Sequence, residues 1–122
     1  MTSKQRTPLI AANWKMHHPP AGAFDPGSPY HRQKHVDIAV FPTFLHLREA
    51  IAKELVVGSQ YGRPEVSGAF TGDISMAMLK ELGCTYVLCG HSERRSYHGE
   101  TNEDVARQAR SALEVGLTPL VC

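Results

Sequence analysis

Short apolar runs and segments of helical period take turns along this chain, and that alternation restricts its fold more than any other feature. Pro8–Ala12, Val36–Phe41, Leu55–Gln60, Thr85–Cys89 and Leu117–Cys122 each read as one short buried strand. Between them, Phe44, Leu47, Ile51 and Leu55 recur at helical spacing, with Arg48, Glu49, Lys53 and Glu54 on the opposite side. Ile74, Ala77, Met78 and Leu82 form a second stripe, which Gly83 ends. Val105, Ala109, Ala112 and Leu113 form a third, ended by Gly116, and Thr101 to Asp104 has the spacing of a capping box with Thr101 as N-cap. Strands alternating with helices predict a parallel sheet with right-handed crossovers. Periodicity by itself leaves two architectures open: half of a (β/α)₈ barrel, or a small doubly wound sheet.

One stretch breaks the pattern. Met16–His35 contains Pro19, Pro20, Pro26 and Pro29. Proline inside a helix costs about 3 kcal/mol, so the first crossover is expected to be a loop, with at most a helical stub at Tyr30–Lys34. The same stretch carries His17, His18, His31 and His35. His31 and His35 would share a face only if the stub were helical. Cys84 and Cys89, on one strand, would point their sulfurs to opposite faces. Exposed loop histidines are therefore expected, and no metal site. Residues 1–7 read as a polar lead-in.

The 122 residues suffice for one domain but are half of the roughly 250 a full (β/α)₈ barrel needs. A formal net charge of +1, with no basic run, gives no reason to expect nucleic acid or a membrane surface as partner. Three cysteines, two of them in apolar runs, read as buried reduced thiols rather than a disulfide framework. Nothing resembles a secretory leader or a membrane span, and a cytoplasmic protein is expected.

Two polar clusters stand at strand ends. Asn13-Trp14-Lys15-Met16 closes the first strand, where extended backbone would point Asn13 and Lys15 the same way. A lysine there can neutralise a phosphate or a developing enolate oxygen; it can equally be a surface lysine beside a packed tryptophan. The fourth strand ends at Gly90, and His91, Ser92, Glu93, Arg94 and Arg95 follow at the opening of a short helix. Backbone N–H groups at a helix start disfavour a protonated imidazole. His91 would then be a neutral hydrogen-bond donor, or else a loop histidine in a solvated charged turn.

Both clusters, in this order, resemble the signature segments of the triosephosphate isomerase family, and Ser59–Ser75 (SQYGRPEVSGAFTGDIS) is similar to that family's projecting dimer loop. The resemblance runs from Pro8 to Cys122 apart from Met16–His35. It selects the barrel: residues 1–122 as the N-terminal half of one (β/α)₈ domain, four βα units plus strand five, the first helix disrupted. It implies an isomerase of glycolysis and gluconeogenesis, interconverting dihydroxyacetone phosphate and glyceraldehyde 3-phosphate through an enediol(ate), with no cofactor. In that reading His91 polarises the substrate carbonyl, a role carried over from the family rather than deduced from these residues. Lys15 offsets substrate charge, Asn13 orients substrate, and Ser92 and Glu93 stand behind them, Glu93 holding Lys15. The family is homodimeric, so Thr71 would lie near the partner's Asn13 and the partner's Lys15. Asp73, where the family more often has Glu, would pair with the partner's Arg94.

The family's catalytic base is a glutamate after its sixth strand, and its phosphate grip follows strands seven and eight. Neither falls within these residues, and Glu65, Glu93 and Glu100 occupy other family positions. A five-stranded half-barrel would also leave two open edges and an apolar concave face in water. Two expectations follow: an isomerase half that is active once the remainder is present, or a non-catalytic half-barrel that self-associates or pairs with intact subunits.

Overall fold

Residues 4–122 are described by the computed structural model; the first three residues of the polar lead-in lie outside them. The element order is β1 (Leu9–Asn13), β2 (Asp37–Phe41), α1 (Phe44–Ala52), β3 (Gly58–Ser59), α2 (Met76–Leu82), β4 (Tyr86–Cys89), α3 (Ser92–His98), α4 (Asn102–Val115) and β5 (Thr118–Val121). All strand pairs are parallel. β1 runs beside β2 with Leu9 opposite Asp37, and β3, β4 and β5 form a second ladder with Tyr86 opposite both Gly58 and Thr118. A bridge between Val40 and Val57 joins the two ladders, the Val40 N–H donating to Val56 at 3.0 Å. Spatial order thus follows chain order, as expected of a barrel segment and not of a doubly wound sheet, in which the order reverses.

Side-chain alternation then builds two cores. Val40, Val57, Val87 and Cys89 face the helices, where they meet Leu47, Met76, Leu79, Val105, Ala112 and Leu117. Ala39, Phe41 and Leu88 face the other way, with Leu9, Val56, Tyr86 and Leu120 against them. The third strand is shorter than its apolar run suggested, and within it Gly58 lies against the Phe41 ring. A Cβ there would stand 2.2 Å from Phe41 Cε1.

Helix phases differ in detail from the expected stripes. Ser75 caps α2 by accepting the Met78 N–H, and this start turns Met76 and Leu79 inward while Met78 is half exposed. In α4 the capping box at Thr101 and Asp104 forms as expected. The buried face is Val105, Gln108 and Ala112, however, and Leu113 is left exposed. Gln108 takes an inner position because its amide donates to Glu100 Oε2 at 3.1 Å.

Between β1 and β2 no helix forms, nor does the stub at Tyr30–Lys34, so His31 and His35 do not share a helical face. Successive turns replace it, such as Ala23 N–H to Pro20 O at 3.0 Å and Ser28 N–H to Asp25 O at 2.9 Å. This loop folds back on Trp14, which is buried against Tyr30 edge-on at 5.3 Å and Phe24 at 6.1 Å. The aromatic trio covers the end of β1, but its outer residue Ile10 stays 54% exposed.

Cys84 precedes β4 rather than lying on it, so its thiol and that of Cys89 enter the same core instead of opposite faces. Burial pushes these thiols up to about 11 and about 12. Both therefore stay protonated and inert at neutral pH.

Gly90 is the hinge between β4 and α3. Its φ is +76°, and a Cβ would lie 2.5 Å from Val105 Cγ2. Gly90→Ala combines a left-handed backbone penalty with overpacking, and should lower stability by about 2–4 kcal/mol in urea denaturation. A loss under about 1 kcal/mol would show that neither constraint holds.

Candidate active site

The C-terminal ends of β1, β3 and β4 meet at one cavity of about 410 Å³, into which Asn13, Lys15, Gln60, His91, Glu93 and Arg94 project. The chain reaches this arrangement by bending, not by strand alternation. β1 stops at Asn13, and Lys15 adopts a left-handed backbone with φ 54°. The expectation of an extended Asn13–Lys15 pair is therefore corrected: the two converge because of a turn. That turn is held twice. Asn13 Oδ1 accepts the Lys15 N–H at 2.9 Å. The Gln60 amide donates to the carbonyls of Lys15 at 2.7 Å and Phe41 at 2.8 Å. A left-handed non-glycine residue costs about 1–3 kcal/mol and persists only where its surroundings over-determine it. Gln60 was not singled out from sequence, although its place at the C-terminal end of the third strand was the available signal.

Lys15 and Glu93, 78 positions apart, form an ion pair with Nζ 2.6 Å from Oε1. The hydrogen bond from Lys15 holds the Glu93 carboxyl below its ordinary 4.5, partly offset by desolvation and helped by the Lys15 charge. His91 caps α3: its Nδ1 accepts the Glu93 N–H at 3.1 Å. In the neutral imidazole the proton must then sit on Nε2, where it is available as a donor. Ser92 opens α3 and is exposed outside the cavity lining.

The residues expected at a dimer contact are placed differently within the single chain. Asp73 accepts from Arg63 Nη1 at 2.7 Å. Arg94 lies over the Tyr61 ring at 4.0 Å and donates from Nε to Glu100 Oε2 at 3.2 Å. Thr71 is exposed on the long loop. Arg63 also stacks on Phe70 at 3.5 Å, and its Nε stands 3.0 Å from Glu65 Oε2. That last contact is a charge contact only, since the N–H does not aim at the oxygen and both atoms lack a hydrogen bond. Tyr61 is raised above its usual range, first by burial and then by the Asp73 charge.

With its folded value below the ordinary one, Glu93 contributes stability at neutral pH that is lost as pH falls through that lowered value. A carbon-detected titration of Glu93 should therefore show a midpoint below 4.5, moving up in Lys15→Met. An unchanged midpoint in the variant would mean that Lys15 does not hold the carboxylate.

The chain matches the family model for triosephosphate isomerase over residues 8–122. It is 41% identical over 129 residues to the triosephosphate isomerase of Coxiella burnetii, covering 97% of this chain and 49% of that protein. Identity is 45% to the enzyme of Mycobacterium tuberculosis and 46% to that of Corynebacterium diphtheriae, covering 96% of this chain in each case. The chain spans about half the length of these curated relatives, 49% and 50% of the last two. No helix among the described residues is long and apolar enough to cross a membrane. A single family thus accounts for both signature clusters and the cavity they share, and the chain belongs to the triosephosphate isomerase family.

Proposed function

We propose that this chain supplies the substrate-holding and carbonyl-polarising half of a triosephosphate isomerase site. The reaction is the interconversion of dihydroxyacetone phosphate and glyceraldehyde 3-phosphate, a step of glycolysis and gluconeogenesis in the cytoplasm. The observation that carries it is the hydrogen bond from the Glu93 N–H to His91 Nδ1, which leaves the imidazole proton on Nε2. A neutral donor at that atom can bond the substrate carbonyl oxygen as a base removes the proton from the neighbouring carbon. Electrons of the broken C–H bond move onto that oxygen, giving the enediol(ate). His91 then passes its proton between the two oxygens, and the base returns its own to the other carbon. Lys15 offsets the negative charge, and the Asn13 side-chain NH₂ orients the substrate. No cofactor enters this scheme.

The base is not among the carboxylates of this chain near the cavity. Glu93 is held by Lys15, Glu100 by Arg94 and Gln108, and Glu65 by Arg107. In the family the base belongs to the second half of the barrel, consistent with the half-length match to the relatives. The apolar cluster of Ala39, Phe41 and Leu88, with Leu9 and Leu120 against it, lies on the face that a closed barrel would enclose.

A homodimer is the assembly we propose, with the Ser59–Ser75 loop reaching the other subunit. Thr71 would lie near the partner's Asn13, and Asp73 would have to exchange Arg63 for the partner's Arg94. Asp73 keeps the charge of the more usual glutamate with one methylene less reach.

Co-expression with the second half of the Mycobacterium tuberculosis relative should give a folded complex with isomerase turnover. In that complex His91→Gln should lower kcat by about 10²–10⁴-fold. A folded complex without turnover, or turnover indifferent to His91, favours the non-catalytic half-barrel instead. Sedimentation of the active complex should give the mass of two complemented barrels. A single-barrel mass would remove the dimer from this reading.

A further inference from the structure

From sequence His17 and His18 read as exposed loop histidines, alongside His31 and His35 and with Cys84 and Cys89 further on. The fold pairs His18 with a residue from elsewhere. His18 Nδ1 stands 3.2 Å from His46 Nε2, the rings edge to face at 74°. His18 lies on the loop after β1 and His46 on the first turn of α1, so the packing of two crossovers brings them together. They line a cavity of about 270 Å³ with Met16, His17, Thr43 and Leu45, next to the active-site cavity and sharing only Met16 with it.

From this geometry we propose that His18 and His46 form a chelate for a divalent first-row transition cation of the nickel, copper or zinc type. Two nitrogens bound at about 2.1 Å to one tetrahedral cation stand about 3.4 Å apart, close to the separation already present. The other nitrogen of His46 has a carboxylate nearby: Nδ1 stands 3.8 Å from Glu49 Oε2, too long for a hydrogen bond but within reach of a small side-chain rotation. Metal-bound imidazoles characteristically give their second N–H to a carboxylate, which fixes the tautomer and leaves the lone pair on the ligating nitrogen. With the His46 proton on Nδ1 toward Glu49, Nε2 carries its lone pair toward His18. Shifting the His18 proton to its own Nε2 frees Nδ1 as the second ligand, and small ring rotations aim both lone pairs at one point. Among the described residues no three His, Cys, Asp or Glu side chains already stand in ligating geometry. The site is thus a two-imidazole chelate, with water or His17 completing the coordination. An imidazole pair without a ligating carboxylate suits nickel, copper and zinc and disfavours magnesium and calcium.

The test uses the untagged full chain, titrated with nickel(II) chloride by calorimetry. The expected result is one saturable event per chain, lost in His18→Asn and in His46→Asn, unchanged in His31→Gln/His35→Gln, and weakened about tenfold in Glu49→Gln. Because His46 is partly buried, a second measurement needs no variant. Zinc chloride added to uniformly ¹⁵N-labelled protein should shift the His18 Nδ1 and His46 Nε2 resonances together. Absence of a saturable event, survival of it in either single asparagine variant, or zinc shifts confined to other histidines would each overturn the proposal.

Discussion

Burial of both faces of the inner strands of a parallel sheet is the constraint on which the rest of this structure depends. Along β2 and β4, residues of one parity enter the helix-side core and those of the other parity enter the opposite core. The buried interiors of these two strands leave no room for charge. Polar chemistry is thereby pushed to where the strands stop. The same C-terminal ends are where backbone N–H groups begin the following helices, so His91 finds the Glu93 N–H within hydrogen-bond distance. The position of the site follows from the packing of the sheet.

Lys15 illustrates how local strain and long-range pairing support each other. Its left-handed backbone would be unfavourable alone, yet Asn13, Gln60 and Glu93 hold it from its own strand end, from the end of β3 and from α3. Each contact is modest, and the ion pair is half exposed at both partners, so solvent screens it. What they achieve jointly is position. An ammonium with an exposed carboxylate partner can turn toward an arriving anion without leaving a buried charge unpaired.

The parallel α/β alternation was legible because periodicity exposes it directly, whereas the barrel itself was selected only by the family resemblance. Strand positions, the terminating glycines 83 and 116 and the capping box at Thr101 all follow from local rules. Helix phase was harder. Met78 and Leu113 fit an apolar stripe but face outward, because Ser75 sets the start of α2 and Gln108 brings its own partner into the core. His91, Lys15, Asn13 and Glu93 were singled out from motif resemblance, and all four line one cavity. The turn that joins Lys15 to Asn13 was not readable, since nothing local announces a positive φ at a lysine. It is held jointly by Asn13 and by a glutamine 45 positions away. The pairing of His18 with His46 was hidden for the same reason: contacts across crossovers have no sequence period.

The proline-rich segment shows what replaces a helix when the chain forbids one. A crossover helix normally covers two neighbouring strands with an apolar stripe. Here Trp14, Phe24 and Tyr30 provide that cover with three rings, at the cost of leaving Ile10 in water. Aromatic rings bury large areas with few rotatable bonds, so three of them can do locally what a helix does with more residues. The loop is therefore anchored through the residue that sits between Asn13 and Lys15. Trp14 carries both roles: its side chain holds the loop, and its backbone N–H bonds Phe41 O at 3.1 Å, extending the β1–β2 ladder up to the turn. A departure from the regular crossover is thus tied to the geometry of the site through Trp14, whose ring packs on Phe24 and Tyr30 of the loop.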